Sequence, residues 1–315
     1  MTTYITGLRG VQPLALMALV AVPWSVQADT GAEPTPVIDV HVHVYASDAR
    51  WEYRVPNPAN GQAMTATDET AHMEATLAEM ERHNVVKAVV SNDYDVVLRW
   101  YETAPERIIG SYGFSDPEPP DVDFLRAEHE AGRLMSLGEV GLQYEGIAPN
   151  DPRMEPWYEL AVELDIPLGI HVGLTKPGGI YDAFPEYRAA LGNPLLLEEV
   201  LVRHPGLRVY VMHAGWPMLD QMMALMWAHP QVYVDISVIN WAVPREAFHY
   251  YLKRLTEAGF GRRLLFGSDQ MVWPEAIGMA IEGVESAEFL SEQEKRDIFY
   301  NNAVEFFRLG DEPQK

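Results

Sequence analysis

From Val37 almost to the C-terminus the chain alternates between two hydrophobic rhythms. Short apolar runs rich in β-branched residues read as strands, and stretches with apolar residues every three or four positions read as amphipathic helices. The runs predict eight strands, over 37–44, 86–91, 107–114, 134–141, 166–173, 207–215, 232–238 and 264–269. Between them the helical rhythm covers 68–83, 93–105, 121–132, 153–164, 193–203, 218–228 and 244–259. Helix-start residues stand where they are needed: Asp121 precedes Val122-Asp123-Phe124, Asn193 precedes Pro194, and Pro244 opens Arg245-Glu246. A last helix is predicted from Ser291 to Leu309, with Ser291 and Glu294 spaced as a capping box and Ile298, Phe299, Val304, Phe306 and Phe307 closing the outer layer.

Strands joined by helical crossovers run parallel. Eight such units in this length suit a closed (β/α)8 TIM barrel better than an open doubly wound sheet, and no Gly-x-Gly-x-x-Gly follows an early strand. There is no internal repeat, low-complexity tract or Ser/Gly linker, so residues 37–315 are expected to form a single domain that includes the C-terminal helix. Segments 45–67 and 174–192 exceed ordinary loop length, and both follow strands. Loops of that kind lie at the C-terminal face of a barrel, where active sites are built.

Strands buried on both faces should be almost continuously apolar, so polar residues inside them cost stability unless they have partners. Six exceptions fall at strand ends: His41 and His43 in Asp-Val-His-Val-His, Glu139 in Gly-Glu-Val-Gly, His171 in Ile-His-Val-Gly, His213 in Met-His-Ala-Gly and Asp269 in Phe-Gly-Ser-Asp. His41 and His43 are two residues apart and so share one face of a strand, which lets both meet one ion. A buried hydrogen-bond network is the structural alternative, and convergence of six residues on one barrel mouth argues for a metal site. Nitrogen and carboxylate oxygen without sulfur suit Zn2+, Mn2+, Fe2+ or Co2+ without selecting among them; Zn2+ is the first expectation, with one or two ions open. Asp235, in strand seven with Ser237 on its own face, is expected to satisfy neighbours inside the barrel and to stay outside the metal site.

With these motifs the chain resembles the metal-dependent amidohydrolase superfamily, in particular its amidohydrolase-related (amidohydrolase 2) branch of TIM-barrel hydrolases and decarboxylases. The resemblance runs from Val37 to about Leu309. It implies that His41, His43, His171 and Asp269 are metal ligands and that Asp269 and His213 are catalytic. His213 would instead bind a second ion in a two-metal member, with Glu139 at the bridging carboxylate position. Many decarboxylases of this branch lack a glutamate there, so Glu139 leans the expectation toward hydrolysis.

The first 28 residues stand apart. Arg9 gives a positive start, Val11 to Val22 is largely apolar but interrupted by Gln12 and Pro13, and Val26-Gln27-Ala28 has the small-x-small form of a cleavage site. These features predict a cleaved signal peptide over 1–28, a short linker over 29–36, and a periplasmic or secreted enzyme with no stable membrane anchor. Loss of Arg9 leaves 22 of the 23 basic residues and all 46 acidic ones, a formal charge of −24 that disfavours nucleic acid and anionic lipid. There are no cysteines, so an exported chain of this size rests on its apolar core alone, and 48% apolar content supports one.

The expected reaction is attack by metal-activated water on an amide, ester or lactone bond of a small molecule. The alternatives are a metal-dependent decarboxylase of an aromatic or unsaturated acid and a non-catalytic exported binding protein. For substrate contacts, the loop after strand one offers Tyr45, Arg50, Trp51, Tyr53 and Arg54, the loop after strand five Lys176, and the segment after strand seven Trp241. Trp51, Tyr53, Arg54, Lys176 and Trp241 are the substrate-binding candidates carried forward; packing of the loop onto the barrel is the competing role for Trp51 and Tyr53. Small-molecule substrate and, as one option, further copies of the chain are the partners expected.

Overall fold

The computed structural model describes residues 35–47, 50–173 and 175–310. The predicted leader over 1–28 and residues 29–34 of the predicted linker lie outside the described residues. Strands β1 (Val37–Val44), β2 (Val85–Asn92), β3 (Ile108–Phe114), β4 (Ser136–Val140), β5 (Leu168–His171), β6 (Val209–Met212), β7 (Val232–Asp235) and β8 (Leu264–Leu265) form one parallel sheet in sequential order. Helices α1 (Glu69–Arg82), α2 (Tyr94–Thr103), α3 (Val122–Glu130), α4 (Glu155–Glu163), α5 (Glu198–Arg203), α6 (Leu219–Ala228) and α7 (Arg245–Glu257) lie between successive strands. After β8 come α8 (Ala276–Glu285), which the sequence pattern did not single out, then α9 (Glu292–Arg296) and α10 (Asn302–Phe307).

The helix-start residues act as their chemistry requires. Asp121 accepts from the backbone N–H of Phe124, Asn193 caps a short 3-10 turn ahead of α5, and Ser291 and Glu294 form a complete capping box. The expected terminal helix is divided, because residues Asp297–Asn301 form a π-type turn between α9 and α10. Among the described residues no helix is long and apolar enough to cross a membrane.

Strand eight is much shorter than the predicted 264–269, and the barrel seam is sealed by other means. Val40 N–H donates to Phe266 O at 2.9 Å and Asp269 N–H to His41 O at 2.8 Å. The buried Gln270 side chain then accepts from His43 N–H (2.9 Å) and donates to His43 O (2.8 Å), supplying both hydrogen bonds a neighbouring strand would have given. Asp39 adds a cross-tie, accepting from Ser268 N–H at 2.9 Å and from His41 N–H at 3.1 Å. These bonds fix β1 against the segment that carries Asp269.

Two cores result. The larger packs the outer strand faces against the helices, with Ile298 and Phe299 in it as expected. The smaller fills the barrel beneath the histidines: Ile38, Val40, Val89, Ile109, Tyr210, Met212 and Leu265 meet Ala303, Phe306 and Phe307. Phe306 and Phe307 therefore plug the inner cluster instead of closing the outer layer, because the rings of Tyr210 and Tyr233 need an apolar cover, which Phe306 gives at 5.8 and 4.4 Å between centroids.

Candidate metal centre and active-site cavity

Strand periodicity and the register shift between Asp39 and Val42 bring His41 and His43 to one side of β1, with their Nε2 atoms 3.3 Å apart. Glu139 reaches them from β4: its Oε2 is 3.1 Å from His43 Nε2 and 3.6 Å from His41 Nε2. Asp269 arrives from the far side of the seam, with Oδ1 at 3.0 and 3.9 Å from the same two nitrogens. It lies beyond the end of β8 with a positive φ of 48°, so a backbone bend, and no continued strand, aims the carboxylate. His171 ends β5 and places Nε2 3.8 Å from the other glutamate oxygen, Oε1. His213 follows β6 in a tight turn, and its ring stacks on His41 (5.3 Å) and meets His171 edge-on (4.7 Å). All six polar strand-end residues come together.

Asp235 stands directly behind them. Its Oδ2 is 2.9 Å from His41 Nδ1, while Oδ1 accepts from His213 N–H (2.8 Å), Ser237 N–H (3.0 Å) and Ser237 Oγ–H (2.6 Å). A carboxylate beside Nδ1 assigns the imidazole proton to that nitrogen, which leaves Nε2 as a lone pair facing the cluster. Burial opposes the Asp235 charge, but the charge and hydrogen bond of the His41 ring, the nearby His213 ring and the bond from Ser237 hold its pKa below the ordinary carboxylate value. These contacts make it a positioning residue for His41, and with His41 and His213 it also forms a candidate ligand group of its own.

Two imidazole nitrogens and two carboxylate oxygens thus converge, each carboxylate within 3.9 Å of both nitrogens. Such a set of buried lone pairs is stable only around a proton or a cation. Asp269 Oδ1 is a buried acceptor without a hydrogen bond among the described residues. With no cation, protons take its place: burial opposes charge on His41 and His43, yet the carboxylates of Asp269 and Asp235 push His41, and those of Asp269 and Glu139 push His43, up to about 10. His171 behaves oppositely, since burial and the neighbouring His213 bring it down to about 3 and keep it neutral, as a ligand must be. The donor set fits a divalent metal. Glu139 belongs to two candidate ligand groups at once, one with His41 and His43 and one with His171 and His213.

Above the cluster opens a cavity of about 500 Å³, with His43, Glu139 and Asp269 on its floor and Tyr45, Arg50, Asn92, Phe114, Ser115, Tyr144, Phe184 and Met271 among its walls. The substrate candidates carried from the sequence are not in that lining. Trp51 is buried, its ring 5.4 Å from His72 and its Nε1–H bonded to Ala46 O, which matches the packing role. Tyr53 and Arg54 face outward, and Lys176 is exposed and paired with Asp182. Trp241 is buried with its Nε1–H on Ser268 O, so it props the segment leading to Asp269 from behind. Of the aromatics and cations in the first long loop, Tyr45 and Arg50 reach the cavity, with the Arg50 guanidinium 4.0 Å above the Tyr45 ring. Tyr144 and Gln270 had no signal beyond their nearness in sequence to Glu139 and Asp269.

A family model described as Amidohydrolase matches residues 38–309. The chain belongs to the amidohydrolase family. Membership, with the donor cluster at the cavity floor, makes this an enzyme of the metal-dependent amidohydrolase type and removes the non-catalytic alternative. Among curated proteins the amidohydrolase is 22% identical to Protein fluG of Emericella nidulans over 162 residues, 47% of this chain but only 18% of that much longer protein. Two solved structures share the fold over nearly their whole length. A probable 2-pyrone-4,6-dicarboxylic acid hydrolase from Acinetobacter baumannii with citric acid bound has a TM-score of 0.60 at 17% identity, covering 86% of this chain and 99% of its own. A 5-carboxyvanillate decarboxylase from Novosphingobium aromaticivorans, complexed with manganese and 4-hydroxy-3-methoxy-5-nitrobenzoic acid, has a TM-score of 0.58 at 16% identity, covering 87% and 96%. Identity this low carries the architecture alone, and both hydrolases and decarboxylases use it.

Proposed function

We propose that this amidohydrolase is an exported metal-dependent hydrolase that directs activated water onto an amide, ester or lactone bond of a small molecule. The observation that carries the reading is the convergence of His41 Nε2, His43 Nε2, Glu139 Oε2 and Asp269 Oδ1, the last three residues lining a cavity of about 500 Å³. A divalent cation held by these residues, with zinc as the first expectation, would lower the pKa of bound water from 15.7 to roughly 7. Asp235 keeps the His41 proton on Nδ1 and so keeps Nε2 available. Asp269 takes the proton of the attacking water and returns it to the leaving group. His213, fixed by its Nδ1 contact to Ser237 Oγ at 3.0 Å, polarises the carbonyl in a one-ion centre. The shared position of Glu139 favours two ions, with His171 and His213 as ligands of the second.

A second reading, a decarboxylase of an aromatic or unsaturated acid, draws support from the cavity itself, which Phe114, Tyr144 and Phe184 line together with the cation of Arg50. Screening the zinc-loaded and manganese-loaded protein against lactones, esters, amides and aromatic acids, with CO2 release monitored, separates the two. Hydrolysis is expected to disappear on chelation and return with metal, and Asp269→Asn to remove turnover while keeping much of the metal. Activity that survives both treatments would overturn the reading. Export rests on Val26-Gln27-Ala28, and a mature N-terminus at Asp29 on the protein recovered outside the cytoplasm is the expected result.

A further inference from the structure

Tyr144 lies on the helical turn Leu142–Glu145, just beyond β4 and the Glu139 it carries. Its hydroxyl is 2.8 Å from His171 Nε2, the same nitrogen that faces Glu139 Oε1 at 3.8 Å. The ring has little freedom. Phe184 packs on it at 4.6 Å and Tyr187 at 6.5 Å, and on its other side stands Gly141, where a Cβ would lie 3.0 Å from a Tyr144 ring carbon. Tyr144 is part of the cavity wall, and among the described residues His171 is the one hydrogen-bond partner of its hydroxyl. A single imidazole nitrogen has one lone pair, so it cannot accept from the hydroxyl and ligate a cation together.

We propose that the Tyr144 hydroxyl changes acceptor with the state of the site. In the metal-free protein it donates to His171 Nε2 and competes with metal for that atom. Once His171 is engaged, the hydroxyl stays where its packing holds it, at the edge of the cavity, and donates to the oxygen on which negative charge develops during attack. Tyr144 is then a catalytic hydrogen-bond donor, in addition to the ligands. The inference rests on the reading of His171 as a ligand made above.

The test uses the mature protein and Zn2+ alone as first probe, in competition with a chromophoric chelator. Tyr144→Phe removes one oxygen and keeps the ring packing, which an unchanged unfolding midpoint checks. Loss of a competing hydrogen bond is expected to tighten Zn2+ binding roughly two- to tenfold. That gain is expected to vanish in the His171→Gln background. With zinc saturating, benzylphosphonate, a tetrahedral oxyanion with an aromatic tail, is the second probe, and the wild type is expected to bind it roughly tenfold or more tightly than Tyr144→Phe, the size of a bond to a charged acceptor. If His171→Gln weakens Zn2+ binding but Tyr144→Phe leaves it unchanged or weaker, or if both forms bind benzylphosphonate equally, the role of Tyr144 is overturned and the ligand reading stands. If His171→Gln leaves Zn2+ binding unchanged, the ligand reading fails and takes the inference with it.

Discussion

Replacing Asp235 by Asn exchanges one oxygen for an NH2 group with almost no change of shape, yet it should weaken metal binding through His41. Three donors, His213 N–H, Ser237 N–H and Ser237 Oγ–H, converge on Oδ1 and hold the amide oxygen in that place. The new NH2 then takes the Oδ2 position, 2.9 Å from His41 Nδ1. Two N–H donors cannot face each other at that distance, and Ser237 Oγ, 2.9 Å from Nδ1, is the one acceptor left there among the described residues, so the substitution shifts the imidazole toward carrying its proton on Nε2. That nitrogen is the one lying 3.3 Å from His43 Nε2 and 3.6 Å from Glu139 Oε2, and a proton there blocks its lone pair. Loss of an orienting partner behind a metal-bound histidine typically weakens metal binding by about 10- to 100-fold, or about 1.4–2.8 kcal/mol. Competition of Zn2+ between the protein and a chromophoric chelator at pH 7.5 measures it directly, with thermal unfolding of the metal-free variant as a check on folding. A folded Asp235→Asn protein with wild-type Zn2+ affinity would refute the tautomer argument.

Two further outcomes concern stability. A Cβ on Gly169 would stand 2.3 Å from Tyr210 Cζ and 2.6 Å from Met212 Cε, side chains locked in the inner core, so Gly169→Ala should cost about 1–3 kcal/mol in urea unfolding, and an unchanged midpoint would contradict that packing. Burial brings His72 down to about 4 from an ordinary 6.5, with the Met271 carbonyl opposing. The unfolded chain therefore takes up this proton first as the pH falls, and stability is lost between pH 6.5 and 4, approaching about 3 kcal/mol. His72→Gln, which retains an N–H for Met271 O, should flatten that part of the profile, and parallel profiles for the two proteins would count against the assignment.

Much of this architecture is legible in local pattern. β1 spans the predicted 37–44, and each of the other seven predicted strands is found, because β-branched runs and the helix-start residues Asp121, Asn193 and Ser291 act over a few neighbours only. The same locality explains the loss of accuracy at the eighth strand. Its last residues look like a strand in composition, but their partners are Asp39, His41 and His43, more than 220 residues away, and the Gln270 side chain replaces the ladder there.

The site divides along the same line. Sequence by itself determined the polar strand-end positions that converge, since a histidine or carboxylate at the end of an apolar strand is costly without a partner and stands out against the pattern. The tertiary structure alone decided which atoms meet: that Asp235 orients His41 from 194 residues away, and that Glu139 belongs to two candidate ligand groups. It also decided the cavity walls. Arg50 and Trp51 are adjacent on a single helical turn, and nothing in their order says which will face the cavity. Docking against the barrel made the choice, burying the larger apolar ring of Trp51 against His72 and leaving the charged Arg50 over Tyr45 at the cavity wall.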